Sequence, residues 1–163
     1  MNNSSDHDVS LPDIVDAKEY IARNIIGGSS RKSIKKLYNP NTDEVNPSRF
    51  LDDRNPIELS VNRISTLSLE KTHQLGLTLT EEINNNNSTA KPLSYHGYAQ
   101  LTKRQCLDAG CVDVLKEDYN GTKPYHANII YPREQSRKAD DMEIANNLAF
   151  VAELIRYDET DLK

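Results

Sequence analysis

At 163 residues the chain is about one domain long, and its net charge of −5 argues against indiscriminate nucleic-acid binding, which needs positive potential facing the phosphates. Only 36% of its residues are hydrophobic and its mean hydropathy is −0.72, and no stretch approaches the roughly 18 apolar residues of a membrane-spanning helix. The polar start, Met1 to Asp8, lacks the basic and apolar regions of a secretory signal, so a cytoplasmic location is expected, with Cys106 and Cys111 reduced and no second cysteine pair to complete a zinc site.

Residues 1–10 are polar and expected to be a disordered tail, and residues 158–163 are expected to form a tail at the other end. Pro12-Asp13 then suits the first turn of a helix, with Ile14, Ala17, Ile21 and Ile25 near one face and Gly27-Gly28 as its stop. Residues 29–56 read as a connector. They carry the basic cluster Arg31, Lys32, Lys35 and Lys36, then three Asn-Pro steps that favour an extended path, with Phe50-Leu51 as an anchor on the core. Residues 11–45 are therefore expected to form a helical and basic appendage to a core of residues 46–157.

Within that core, residues 57–64 alternate as a half-buried strand, with Ile57, Leu59 and Val61 on one face. Arg63 comes next on the same apolar face. Ser65, Thr66 and Ser68 offer N-caps for a helix running through Leu69, His73 and Leu75 to Ile83, followed by a loop at Asn84 to Asn87. Residues 95–101 read as a strand with a closely packed Gly97. Thr102 and Gln105 match a capping box for a short helix ending at Gly110. Residues 111–115 and 125–131 form an antiparallel pair joined through the Asn120-Gly121 turn signal. Ile144, Leu148, Val151 and Ile155 make the apolar stripe of a last helix. The expected fold is α+β (or α/β): a small mixed sheet of about four strands packed by helices, with an N-terminal helical appendage.

No dinucleotide, phosphate-loop, hydrolase-elbow or zinc-protease motif is present, and no cofactor or metal is expected. Three features could carry chemistry. Arg63, near Glu58, has the planar fork that grips a carboxylate or phosphate; its plainer role is a salt-bridged arginine. His126 opens a strand and suits acid–base work; its plainer role is donation to a backbone carbonyl. His96 and Tyr98 flank Gly97 on one strand face, and His96 could join a polar cluster with His126.

The segments Glu-Leu-Ser-Val-Asn-Arg (58–63) and His-Ala-Asn-Ile (126–129) resemble an uncharacterised bacterial family over about residues 46–155. The resemblance implies a bacterial source and a shared fold, and marks Arg63 and His126 for testing. It brings no activity with it.

Three functions follow as expectations. The first is an interaction or regulatory module that binds a protein partner, or a second copy of itself, through a detachable N-terminal helix and oppositely charged ends. The second is a small enzyme for a phosphorylated or nucleotide-like substrate, with Arg63 holding the anion, His126 moving a proton, and His96 or Glu58 assisting. The third is nucleic-acid binding through Arg31, Lys32, Lys35 and Lys36.

Overall fold

A computed structural model describes residues 10–54, 57–88, 90–132 and 138–158. The expected tails, apart from residues 10 and 158, and the Asn55-Pro56 step lie outside them. Among the described residues the chain forms one six-stranded antiparallel sheet with four α-helices. In chain order these are β1 (Tyr20–Gly27), α1 (Arg31–Ile34), a 3-10 turn at Pro47–Phe50, β2 (Glu58–Arg63), α2 (Leu69–Asn86), β3 (Ser94–Thr102), α3 (Lys103–Ala109), β4 (Asp113–Lys116), β5 (His126–Ile130), α4 (Lys138–Val151) and β6 (Glu153–Arg156). The strand order is β4-β5-β2-β1-β3-β6, so the expected four strands become six, and every pairing is antiparallel.

The largest correction concerns the N-terminal helix. Residues 20–27 form a strand at the centre of the sheet, between β2 and β3, and not a helix set apart from the core. Ile21 and Ile25 fit either period, being four apart. Pairing along the length of β3 and burial of Ile21 and Ile25 to 0% exposure decide for the strand. Two further elements differ. α2 continues through Asn84 to Asn86, where a loop was expected. There the Asn84 side chain both donates to the Leu93 carbonyl and accepts from the Leu93 amide. The last helix stops at Val151, and Ile155 belongs to edge strand β6.

Local chemistry explains the elements that fall where expected. Ser68 caps α2 by accepting from the Lys71 amide. Thr102 and Gln105 close a reciprocal capping box on α3, which ends in a left-handed Gly110. β2 alternates as its sequence requires, with Leu59, Val61 and Arg63 on the buried face. That face joins Phe50, Leu101, Ile129, Tyr131 and Leu148 in the main core, beneath α3, α4 and the 3-10 turn. Phe50 anchors its segment as expected: it is fully buried, and its carbonyl accepts from the Tyr131 hydroxyl. The opposite face carries a smaller cluster of Ala22, Ile64 and Tyr98, with α2 packed over β3 and β1. α2 leaves β2 and β5 uncovered on that side, and a cleft opens there.

Candidate functional site

The cleft begins where the sheet splits. β2 pairs with β5 along its length, from Glu58 to Asn62, but with β1 only at Ile21–Arg63 and Ala22–Asn62. Beyond Ala22 the two strands diverge. The Glu58 and Ser60 carbonyls, which point toward β1, lose their ladder partners, and a buried carbonyl must find another donor. Arginines supply both. Arg23 Nη1 donates to the Ser60 carbonyl at 2.9 Å, and Arg54 Nη2 donates to the Glu58 carbonyl at 2.7 Å. Arg23 Nε also reaches the Arg49 carbonyl at 3.1 Å, tying the 3-10 turn to the apex of the split.

Around this apex lies a cleft of about 550 Å³. One wall is α2, through Leu75, Leu79, Glu82 and Ile83. The other is the β4–β5 connection, through Tyr119 and Thr122 to His126. Arg23, Asn24, Ser60 and Asn62 line its floor, with Arg49 and Leu51 at the side. Lys123 also lines it, so three cations, Arg23, Arg49 and Lys123, share the cleft with one carboxylate, Glu82, in a protein that is acidic overall.

Arg23 is the unusual group. Burial first, and then the neighbouring Arg49, lower its pKa from 12.5 to about 10, so it stays charged at neutral pH. Its hydrogen-bond partners are both carbonyls. Among the described residues no carboxylate lies within ion-pair distance of it, and Nη2 has no hydrogen-bond partner. The nearby Asp52 is held by Arg54 at 2.6 Å. Asp52 acts on Arg23 only at longer range. A partly buried cation with no carboxylate in contact is costly, and an anion in contact relieves that cost. Next to it, Asn24 Oδ1 is buried without a partner.

The β4–β5 connection is wound left-handed at three successive residues: Tyr119 (φ 50°), Asn120 (φ 59°) and Gly121 (φ 84°). Asparagine and glycine tolerate this, but a bulky tyrosine is strained by about 1–2 kcal/mol. The Thr122 hydroxyl donates to the Tyr119 carbonyl and holds the turn. The strain sets the Tyr119 ring against His126, with centroids 5.0 Å apart, and under Lys123 Nζ at 5.7 Å. Strain of this kind gathers at ligand sites.

His126 Nδ1 lies 2.8 Å from the Glu117 carbonyl, and a carbonyl only accepts, so Nδ1 carries the hydrogen. Burial lowers the ring's pKa, with the Glu117 carbonyl opposing in part, so the ring is neutral at pH 7 and Nε2 keeps its lone pair. An unfolded His126 takes up a proton near pH 6.5, whereas the folded ring does so only at lower pH. Acidification through 6.5 therefore favours the unfolded chain. Urea unfolding between about pH 7 and pH 5 is expected to show less of this acid-linked loss in His126→Asn than in the wild type.

The other residues singled out in the sequence lie elsewhere. Arg63 is 1% exposed and points to the opposite face of the sheet from His126. Its Nε and Nη2 grip the Glu19 carboxylate at 2.6 and 3.0 Å, and Nη1 donates to the Pro12 carbonyl at 2.7 Å. Arg63 and His126 therefore do not share a cleft, and the partner of Arg63 is Glu19, not Glu58. Glu58 opens β2 opposite Ile130 and does not line the cleft. His96 Nε2 lies 3.0 Å from the Gly28 carbonyl, on β3, and its ring meets Tyr38 edge-on; it forms no cluster with His126. Arg31, Lys32, Lys35 and Lys36 are exposed on α1 and the turn after it, and none lines the cleft. Among the described residues no cluster of three or more metal-ligating side chains occurs, and both cysteines are buried, with burial pushing the Cys111 thiol up to about 12.

Arg23, Asn24, Arg49, Asn62 and Lys123 were not legible as site residues. For Arg23 and Asn24 the signal was the isoleucine-rich run around them, which is as compatible with a strand as with a helix. Compared with family models, with curated proteins and with solved structures, the chain matches none. The resemblance in segments 58–63 and 126–129 stays with those two short motifs.

Proposed function

We propose that the protein is a binding domain for a small organic anion, held in the cleft between α2, the split of β1 from β2, and the β4–β5 connection. One observation carries this: Arg23 stays charged at the floor of the cleft with carbonyls for hydrogen-bond partners and no carboxylate in ion-pair contact. Arg49 and Lys123 add positive charge at the rim, and Leu75, Leu79 and Ile83 offer an apolar wall for the ligand's body. This reading assigns the anion to Arg23, where the sequence had pointed to Arg63 for that role.

Isothermal titration with propyl phosphate tests the proposal. The wild type is expected to bind it. The double variant Arg49→Gln/Lys123→Gln, which changes two incompletely buried side chains and keeps Arg23, is expected to bind about tenfold or more weakly. Equal affinity in both proteins, or no binding by the wild type, contradicts the proposal.

A second reading, association with a protein partner, draws on Phe150, which is 90% exposed on α4, a helix that also exposes Met142 and Val151. Self-association is its simplest form. Sedimentation velocity of the wild type and Phe150→Ser checks it: a concentration-dependent dimer lost in the variant supports association, and a monomer in both opposes self-association.

A further inference from the structure

We propose that the ligand of this cleft carries, besides its anionic group, a hydroxyl or amine hydrogen that His126 Nε2 accepts; the class is a small hydroxylated or aminated acid, whether phosphate ester or carboxylate. This rests on the anion proposal above and narrows it. Arg23, Arg49 and Lys123 can only donate hydrogen bonds, so they select the acidic group and nothing else on the ligand. His126 differs from them. Its Nδ1 hydrogen is committed to the Glu117 carbonyl at 2.8 Å, which leaves Nε2 as a pure acceptor on a side chain that lines the cleft. No partner for Nε2 occurs among the described residues. The left-handed Tyr119 packs its ring on this imidazole and fixes its plane.

The register sets the width of the cleft. Ala22 faces Asn62 and Asn62 faces His126, so two inter-strand steps separate β1 from β5. At about 4.8 Å per step, the His126 backbone lies roughly 10 Å from that of Ala22, with Arg23 next along the chain. Arg23 leaves β1 on the opposite face from His126, and its guanidinium enters the cleft through the split, where Nη1 holds the Ser60 carbonyl. A ligand that meets both groups therefore lies across the split within a cleft of about 550 Å³.

Two matched pairs of probes test the inference: glycerol 3-phosphate against propyl phosphate, and lactate against propionate. Within each pair the charge and carbon count are the same and the hydroxyls differ. In titration calorimetry the wild type is expected to bind the hydroxylated member of at least one pair about tenfold or more tightly. His126→Asn is expected to bring that ratio to about one while affinity for the plain anion holds. The asparagine amide can still donate toward Glu117, but no acceptor remains at the Nε2 position. Equal binding within both wild-type pairs overturns the inference and leaves the anion proposal standing, as does a preference that survives in His126→Asn. Binding of none of the four probes overturns both. Should His126→Asn fail to fold, the wild-type ratios alone decide.

Discussion

Glu19→Ala is expected to destabilise the fold by about 3–5 kcal/mol, read from urea unfolding followed by circular dichroism. Arg63 is 1% exposed and Glu19 14% at the side chain, so the pair lies out of water and its two charges depend on each other. The geometry is a two-point grip, with Nε and Nη2 on the two carboxylate oxygens. Removing the carboxylate leaves a guanidinium buried with only the Pro12 and Ile14 carbonyls. It also loosens the turn that Glu19 closes on the Asp16 amide. Most domains have about 5–15 kcal/mol in total, so the loss is large. Glu19→Gln, which keeps one acceptor, is expected to fall between. The double variant Glu19→Leu/Arg63→Met removes both charges and is expected to recover much of the loss. A loss below about 1 kcal/mol for Glu19→Ala, the size of an exposed ion pair, contradicts the buried arrangement.

The second large effect is expected at Gly97. Its φ is +131°, and a Cβ there would sit 2.1 Å from the Ile155 carbonyl oxygen and 2.9 Å from Arg156 Cα. Both are backbone atoms of β6, which pairs with β3 from Gly97 to Gln100, so no side-chain rotation can make room. Gly97→Ala is expected to cost at least about 2–3 kcal/mol. It is also expected to release β6 from the sheet, seen as faster hydrogen exchange at residues 153–156. Gly121→Ala is the control. Gly121 also has a positive φ, of +84°, but no atom lies within 4 Å of the added Cβ, so only the conformational cost of about 1 kcal/mol remains. Equal losses in the two variants contradict a backbone clash at Gly97.

Elements set by chemistry within a few residues were legible in the sequence. The caps at Ser68 and Thr102, the alternation of β2, the stop at Gly110 and the hairpin turn at Asn120-Gly121 depend on neighbours in the chain. Elements decided by distant partners were not. Ile21 and Ile25 have a helical spacing, and pairing with β3 overrules it. At the C-terminal end, α4 passes into β6 at Ala152 with no glycine or proline between, so the helical spacing runs on in the sequence to Ile155. The site divides the same way. His126 was legible from its place at a strand start, and its donation to a backbone carbonyl is the plainer role foreseen for it. Arg63 stood out as a charge on an apolar face, and its salt bridge was foreseen with Glu58 or another acid; the acid is Glu19. Arg23 was hidden, because its meaning depends on a split between two strands nearly 40 residues apart.

The most direct measurement of the central claim is amide chemical-shift mapping of the labelled protein as propyl phosphate is added. Binding at Arg23 predicts the largest shifts at residues 23–24, 49, 60–62 and 119–126, around the cleft. Shifts confined to Arg31, Lys32, Lys35 and Lys36, or none, would contradict it.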